Sequence, residues 1–245
     1  YCCGEMKSVI YTCFDRMTPF VSQHILSVSK YSRKYQIDFH PINLEIQPIP
    51  KFSKHHAYKE FMKSTYDIML FLDWDVIISP EAENIFESIT SGMGAYFLPP
   101  EIFPDPDYVS YFPEFLRYIN VPHIDLHTYY NSGVVATHRD TLLVFYDDMI
   151  SMGDMIHSKL QNMKAREHLI DCVVRQEFLI NYLTTINNVD IVPLDRKWNN
   201  CFQENTHNGW RSFHDVETLE KDGWFNHYNK SDIRDKYLSM TTTHE

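Results

Sequence analysis

The sequence predicts an α/β domain built on a mostly parallel central sheet with helices on its faces, and three observations carry that expectation. The first is the stretch Ile68 to Asp75, where the apolar run Ile68-Met69-Leu70-Phe71-Leu72 stops at Asp73-Trp74-Asp75. An apolar run of that length, bounded by charge, reads as a strand buried on both faces, as parallel strands are. The second is the opening of the chain. Lys7 to Cys13 reads as a strand, Thr18-Pro19 starts a helix with Thr as N-cap and Pro at its first position, and Ile37 to Leu44 returns as a strand interrupted by Pro41. Strand, helix, strand is a βαβ unit. The third is size. The chain has 245 residues, 44% of them apolar and 22% charged, which suits one large domain with a substantial core and is too short for two generous ones.

The elements follow in order. Between the first two strands, Phe20, Val21, Ile25, Leu26 and Val28 keep a helical spacing that runs to Lys34. Pro48 to Phe52 reads as a linker, and Ser53 to Ser64 as a helix capped by Ser53 and carrying Lys54, Lys59 and Lys63. After the acidic strand, Pro80 opens a short helix through Ile89, and Gly92 to Pro100 holds a short strand. Pro99 to Pro122 reads as a long irregular loop whose aromatic residues (Phe103, Tyr108, Tyr111, Phe112, Phe115, Tyr118) either fill an odd-shaped core or offer a stacking surface. Asn131-Ser132-Gly133 reads as a turn feeding a short buried strand, Val134 to Thr137. Helices are expected over Arg139 to Met152 and Leu169 to Leu183, and a last strand over Val189 to Pro193.

Charge and composition narrow the functions. A net charge of −11 disfavours a nucleic-acid or anionic-membrane partner. With 7 glycines and neither G-x-G-x-x-G nor G-x-x-x-x-G-K-[ST], no glycine loop is available to cradle phosphate. Cys2, Cys3, Cys13, Cys172 and Cys201 show no metal-ligand spacing, and their odd number closes no disulfide framework. No stretch reads as a transmembrane helix or signal peptide, so the expectation is reduced thiols in a cytoplasmic setting. Because the chain starts at Tyr1, a longer parent with further domains, or a removed Golgi-type anchor, stays open.

The chemistry concentrates at Asp73 and Asp75. In open α/β sheets, ligands bind beyond the carboxyl ends of the strands, where this pair falls. On an extended backbone, residues i and i+2 face the same side. Two carboxylates aimed at one place repel unless a cation lies between them, and a hard divalent ion is the usual answer. The plainer reading is a strand ending in a solvated acidic turn. The Asn131-Ser132-Gly133 segment is likewise either an ordinary turn or, through its glycine, the lining of a ligand pocket.

These segments together resemble the GT-A-fold glycosyltransferases, most of all family 8 (glycogenin and galactosyltransferase-like) and the short viral and bacterial members. Four motifs in order carry the resemblance: Val9 to Cys13 with Phe14-Asp15, the D-x-D at Asp73-Trp74-Asp75, Tyr130-Asn131-Ser132-Gly133-Val134, and His227-Tyr228-Asn229-Lys230. The resemblance implies a single GT-A domain over 1–245, Rossmann-like in its N-terminal half, with residues 205–245 as a tail closing the donor site. It implies Mn²⁺ or Mg²⁺ held by Asp73, Asp75 and His227, with His207 and His214 as fallback ligands. The donor is then a nucleotide sugar, expected to be a UDP-sugar, and the acceptor a glycan or other hydroxyl. Tyr11, Thr12, Phe14, Asp15 and Trp74 would frame the nucleotide, with Asn131, Ser132 and Gly133 beside it. Lys230 would meet the diphosphate, and Lys54 or Lys59 matches the family's basic residue ahead of the D-x-D. Gln176 matches the residue near the anomeric carbon in retaining members, but Arg175 stands where the family has the first Asp of Asp-Gln-Asp. The His-to-Lys interval is also compressed and no Pro-Trp follows. An inverting reaction would need a carboxylate base, for which Asp171, Glu177 and Asp125 are unranked candidates. Two other readings compete: a haloacid-dehalogenase-like phosphatase with Asp73 as nucleophile, and a binding module without catalysis.

Overall fold

The computed structural model describes residues 6–44, 53–98, 106–126, 128–162, 176–202 and 223–228. The opening βαβ unit is present. Strand β1 (Ser8–Phe14) leads through helix α1 (Pro19–Tyr35) to β2 (Asp38–Asn43), which pairs with β1 in parallel. Thr18 caps α1 by accepting the Val21 N–H at 3.1 Å, and Arg33 and Lys34 lie in the last turn, where cations suit the helix dipole. Pro41 does not disrupt the sheet because β2 is its edge strand, so the missing N–H faces no partner.

Helix α2 (Ser53–Lys63) precedes β3 (Ile68–Asp73), the apolar run, which pairs in parallel with β1. After a turn at Trp74-Asp75 comes β4 (Val76–Ile78), followed by β5 (Met93–Phe97), α3 (Pro106–Ile119) and β6 (Tyr130–His138). Then come α4 (Arg139–Leu143), α5 (Tyr146–Asn162), α6 (Gln176–Ile186), β7 (Ile191–Pro193), β8 (Asn200–Phe202) and β9 (Phe225–Tyr228). The main sheet has the order β2-β1-β3-β6-β5-β7, in which β6 alone runs against the others. A smaller sheet, β4-β9-β8, stands beside it.

Side-chain alternation along the strands builds the two halves of the core. Val9, Tyr11 and Cys13 of β1, with Met69 and Phe71 of β3, face a cluster shared with α2, α3, α5 and α6. Ile10, Ile68, Leu70 and Leu72 face the opposite cluster, shared with α1 and the small sheet. Arg139 anchors α2 from behind, donating to the carbonyls of Phe61 at 2.8 Å, Met62 at 3.1 Å, Ser64 at 3.1 Å and Tyr66 at 2.7 Å. Among the described residues, no helix is long and apolar enough to cross a membrane.

The structure departs from the sequence expectation in four places. Where an irregular loop was expected, α3 forms, because Phe112, Phe115, Leu116 and Ile119 recur at helical spacing and are buried; Pro113 sits inside that helix. Residues 80–89 hold only a single 3₁₀ turn, Ile85–Ser88, capped by the Asn84 side chain. The helix expected over Arg139 to Met152 is two helices, broken at Val144-Phe145, with Asp147 and Asp148 in the first turn of α5. Asn131-Ser132-Gly133 is the start of β6 rather than a turn, although its pairing with β5 skips from Tyr96↔Asn131 to Ala95↔Val135. Residues 132–134 therefore bulge away from β5.

Candidate active site

β3 ends at Asp73, and the backbone turns at Trp74-Asp75, so the extended strand that the sequence reading assumed for both carboxylates reaches only the first of them. Asp73 follows Met69 and Phe71 in alternation, on the α2 side of the sheet, and its side chain is 28% exposed. Asp75 is turned inward and is 3% exposed. Trp74 meets Phe20 of α1 edge-on, ring centroids 6.4 Å apart. Beneath the turn lies His24, fully buried, with Nδ1 2.5 Å from the Val76 carbonyl and Nε2 2.9 Å from the Thr12 hydroxyl. Burial pushes its pKa down to about 4, against the pull of the Val76 carbonyl and of Asp75 and Asp73.

On the other side, four elements converge on Lys54. Its ammonium lies 3.2 Å from Asp73 Oδ1 and donates to Ser132 Oγ at 2.9 Å, while its side chain is only 7% exposed and passes over the Phe71 ring. The Lys54 backbone N–H donates to Gln176 Oε1 at 3.0 Å, joining the first turn of α2 to that of α6. Glu177 accepts from the Ser132 N–H at 2.9 Å, from Ser132 Oγ at 3.1 Å and from the Tyr129 hydroxyl. The result is a chain of alternating charge, Asp73–Lys54–Ser132–Glu177, in which each charged group has a partner. Two buried donors beside it, Gln176 Nε2 and the Tyr58 hydroxyl, have no hydrogen-bond partner among the described residues.

The third contributor is the small sheet. β9 pairs antiparallel with β4 so that His227 lies opposite Val76, one residue from Asp75. The β6 bulge is tied to the same sheet: Asn131 Oδ1 accepts from the Gly133 N–H at 2.8 Å and from Asn199 Nδ2 at 2.9 Å. Asn200 in turn donates to Asn226 at 3.0 Å, and a Cβ at Gly223 would collide with both of those amides.

The structure thus brings Lys54, Asp73, Asn131, Ser132, Gly133, Gln176 and Glu177 into one region, with Asp75 and the His227 backbone position at its border. It also separates Lys54 from Lys59, whose ammonium turns to Asp154 at 3.6 Å. Tyr11 and Thr12 are committed to the core: Tyr11 stacks on His40, and the Thr12 hydroxyl donates to the Leu72 carbonyl at 2.8 Å. Phe14 is buried at the carboxyl end of β1, and half-buried Asp15 follows it, 3.8 Å from Arg16. Asp125 pairs with His123 in an exposed loop. Asp171, His207, His214, Lys230, the remainder of the expected tail and the His227 side chain lie outside the described residues. Among the described residues, no group of three His, Cys, Asp or Glu side chains is gathered for a metal ion. Sequence reasoning missed His24, Tyr58, Tyr129 and Asn199. Of these, only Asn199-Asn200 after Trp198 left a visible signal, two amides in succession next to a packed tryptophan.

No protein-family model matches the sequence, and no curated protein matches it. Solved structures do share its architecture. The chain is similar to a glycosyltransferase involved in the glycosylation of the major capsid of PBCV-1, with a TM-score of 0.57 at 14% identity over 90% of this chain and 94% of that one. The fold is GT-A. The bifunctional glycosyltransferase WbbM aligns with a TM-score of 0.53 at 10% identity, over 92% of this chain and 46% of that one. The glycosyltransferase GlyE of Streptococcus pneumoniae gives 0.50 at 12% identity, over 93% and 56%. Within this GT-A fold, the polar cluster occupies the carboxyl end of β3, where an open α/β sheet receives its ligand.

Proposed function

We propose that this chain is a metal-dependent glycosyltransferase that moves a sugar from a UDP-sugar to a hydroxyl of a glycan or other acceptor. The observation that carries the reading is the acidic turn after β3, flanked by the buried ammonium of Lys54 on one side and by the His227 position on the other. The donor chemistry fits a divalent cation. Two carboxylates and an imidazole are ligands that Mn²⁺ accepts, and the pairing of Asp73 with the Lys54 ammonium at 3.2 Å supports a place for positive charge beside it. Asp73, Asp75 and His227 would hold the ion, and a bound ion supplies Lewis-acid charge to the departing diphosphate.

The chain's own groups divide the remaining tasks. Lys54, 3.2 Å from Asp73, adds positive charge where the diphosphate would lie, and Lys230 is assigned a second contact to it. Phe14 and Asp15 frame the nucleoside, with Tyr11 and Thr12 supporting them from the sheet. Gln176, with a buried Nε2 available, is the group assigned to the region of the transferred sugar's anomeric carbon. Glu177 accepts three donors and is better suited to hold Ser132 in place than to act as a base. Asp171 keeps its place as a base for an inverting reaction.

Thermal denaturation with UDP and a panel of UDP-sugars, with and without Mn²⁺, tests the reading, because a ligand that binds the native state raises its melting point. Manganese-dependent stabilisation by UDP, with slow release of UDP from one UDP-sugar, is expected. If UDP stabilises only without turnover of any donor, the binding-module alternative wins. If the chain instead liberates inorganic phosphate from simple phosphate esters, the phosphatase alternative does.

A further inference from the structure

We propose that Asn199 is a positioning residue for the transferred sugar, because it holds the oxygen of the Asn131 amide and so presents the Asn131 NH₂ to a sugar hydroxyl. The inference rests on the glycosyltransferase reading above. Its starting point is the Gly133 backbone N–H, which meets Asn131 at 2.8 Å. A backbone N–H is only a donor, so the atom it meets is the amide oxygen, and the orientation of the Asn131 amide is settled by that contact. Asn199 approaches the same oxygen at 2.9 Å, so its contacting atom is its own NH₂. Both lone pairs of the Asn131 oxygen are then filled. The Asn131 NH₂ remains, on a half-buried side chain, with no partner among the described residues.

Asn199 is held firmly enough to dictate that orientation. It is 0% exposed and follows Trp198, whose ring is packed edge-on against Trp224 at 4.6 Å and Phe225 at 5.4 Å. Its backbone N–H closes the 3₁₀ turn Arg196–Trp198 on the Arg196 carbonyl at 3.0 Å. Strand β8 begins at the next residue and pairs with β9, which carries the His227 position. Asn131 is the last residue paired with β5 before the β6 bulge and precedes Ser132, which accepts from Lys54. One amide–amide bond therefore joins the corner proposed to hold the cation to the corner that holds Lys54. Ammonium and metal serve the charged phosphates. A neutral amide with a fixed direction suits a neutral hydroxyl, where an unmatched hydrogen bond discriminates between ligands.

The test compares UDP with UDP-glucose, UDP-galactose, UDP-xylose and UDP-N-acetylglucosamine, each titrated by calorimetry in the presence of Mn²⁺. In Asn199→Asp, a side chain of the same shape turns the donor into an acceptor. We expect UDP affinity to stay near the wild-type value, while affinity for the preferred UDP-sugar falls by about tenfold or more, the scale of one hydrogen bond misplaced in a buried site. Protonation of a buried aspartate restores a donor, so relative to wild type the loss should shrink as the pH is lowered, and its confinement to the UDP-sugar, with UDP unaffected, is what a purely structural role would not give. Asn199→Ala, which removes the donor without adding charge, should show the same selective loss in smaller size and covers the case in which the aspartate does not fold. A folded variant that binds the UDP-sugar like wild type, or that loses UDP and UDP-sugar in equal measure, overturns the inference. A wild-type chain that binds neither UDP nor any UDP-sugar overturns the functional reading itself.

Discussion

Lys54 is the costliest side chain in the site. It lies in the first turn of α2, where the helix dipole disfavours a cation, and almost all of it is out of water. Asp73 at 3.2 Å and Ser132 at 2.9 Å offset that cost. Asp73→Asn therefore has two consequences. It leaves a buried ammonium without its countercharge, a loss of roughly 1–3 kcal/mol once the partial exposure of Asp73 is discounted from the full value for a buried pair. It should also abolish the manganese-dependent rise in melting temperature that UDP gives, as should Asp75→Asn. Melting curves of both variants with and without UDP and Mn²⁺ check this, and a full ligand-induced shift in Asp73→Asn would refute the proposed role of that carboxylate. The carboxylate pair could be read from the sequence because residue type and spacing alone define it. Tyr58 and Asn199 could not, because the Tyr58 hydroxyl is buried with no hydrogen-bond partner among the described residues and Asn199 meets Asn131, 68 residues away. Glu177 reads from the sequence as a candidate base, but its tie to Ser132, 45 residues away, is not legible there.

At the level of single elements, legibility followed how local the deciding contact is. Helix α1 is settled within a few residues, by Thr18 and Pro19 at its start and its basic last turn, and its limits agree with the sequence reading. Helix α3 was hidden because Pro104, Pro106 and Pro113 read as breakers, whereas the spacing of Phe112, Phe115, Leu116 and Ile119 decides the outcome. That packing is concrete: Phe112 and Phe115 both meet the Phe178 ring of α6, with centroids 5.5 and 5.7 Å apart. Phe115→Ala should cost about 3–5 kcal/mol, as truncation of a fully buried phenylalanine does, and chemical denaturation would measure it. A change below about 1 kcal/mol would mean that α3 contributes little to the core. Gly153 makes a second element-scale case. A Cβ there would lie 2.7 Å from the His55 ring, on the residue next to Lys54. Gly153→Ala gains about 1 kcal/mol of helix propensity but must displace a rigid ring, which typically costs about 1–3 kcal/mol. The expected result is a lower melting temperature together with weaker UDP binding, because α2 moves with His55.

For the molecule as a whole, pH acts through two imidazoles that folding buries. His24, between α1 and the two sheets, and His55, between α2 and α5, both have pKa values pushed down from 6.5 to about 4, chiefly by desolvation. A pKa lower in the folded than in the unfolded chain means that the unfolded chain takes up the proton first. The corresponding stability is then complete above pH 6.5 and is lost progressively as the pH falls toward 4. At about 1.4 kcal/mol per pH unit, His24 alone accounts for a loss on the order of 3 kcal/mol across that window. His55 adds less, since its partner Asp154 is largely exposed and screens the new charge. The melting temperature should therefore hold steady from pH 8 to 7 and decline steeply from pH 6 to 4. In His24→Gln, which keeps a neutral amide near the Val76 carbonyl and the Thr12 hydroxyl, the decline should be shallower from a lower starting point. Because His24 bridges β1 and β4 beside the acidic turn, unfolding driven by its protonation also disperses the strands that set Asp73 and Asp75 in place. Loss of Mn²⁺-dependent UDP binding should accordingly track the melting profile, and a wild-type melting temperature that stays flat down to pH 4.5 would show that His24 is already charged in the folded chain.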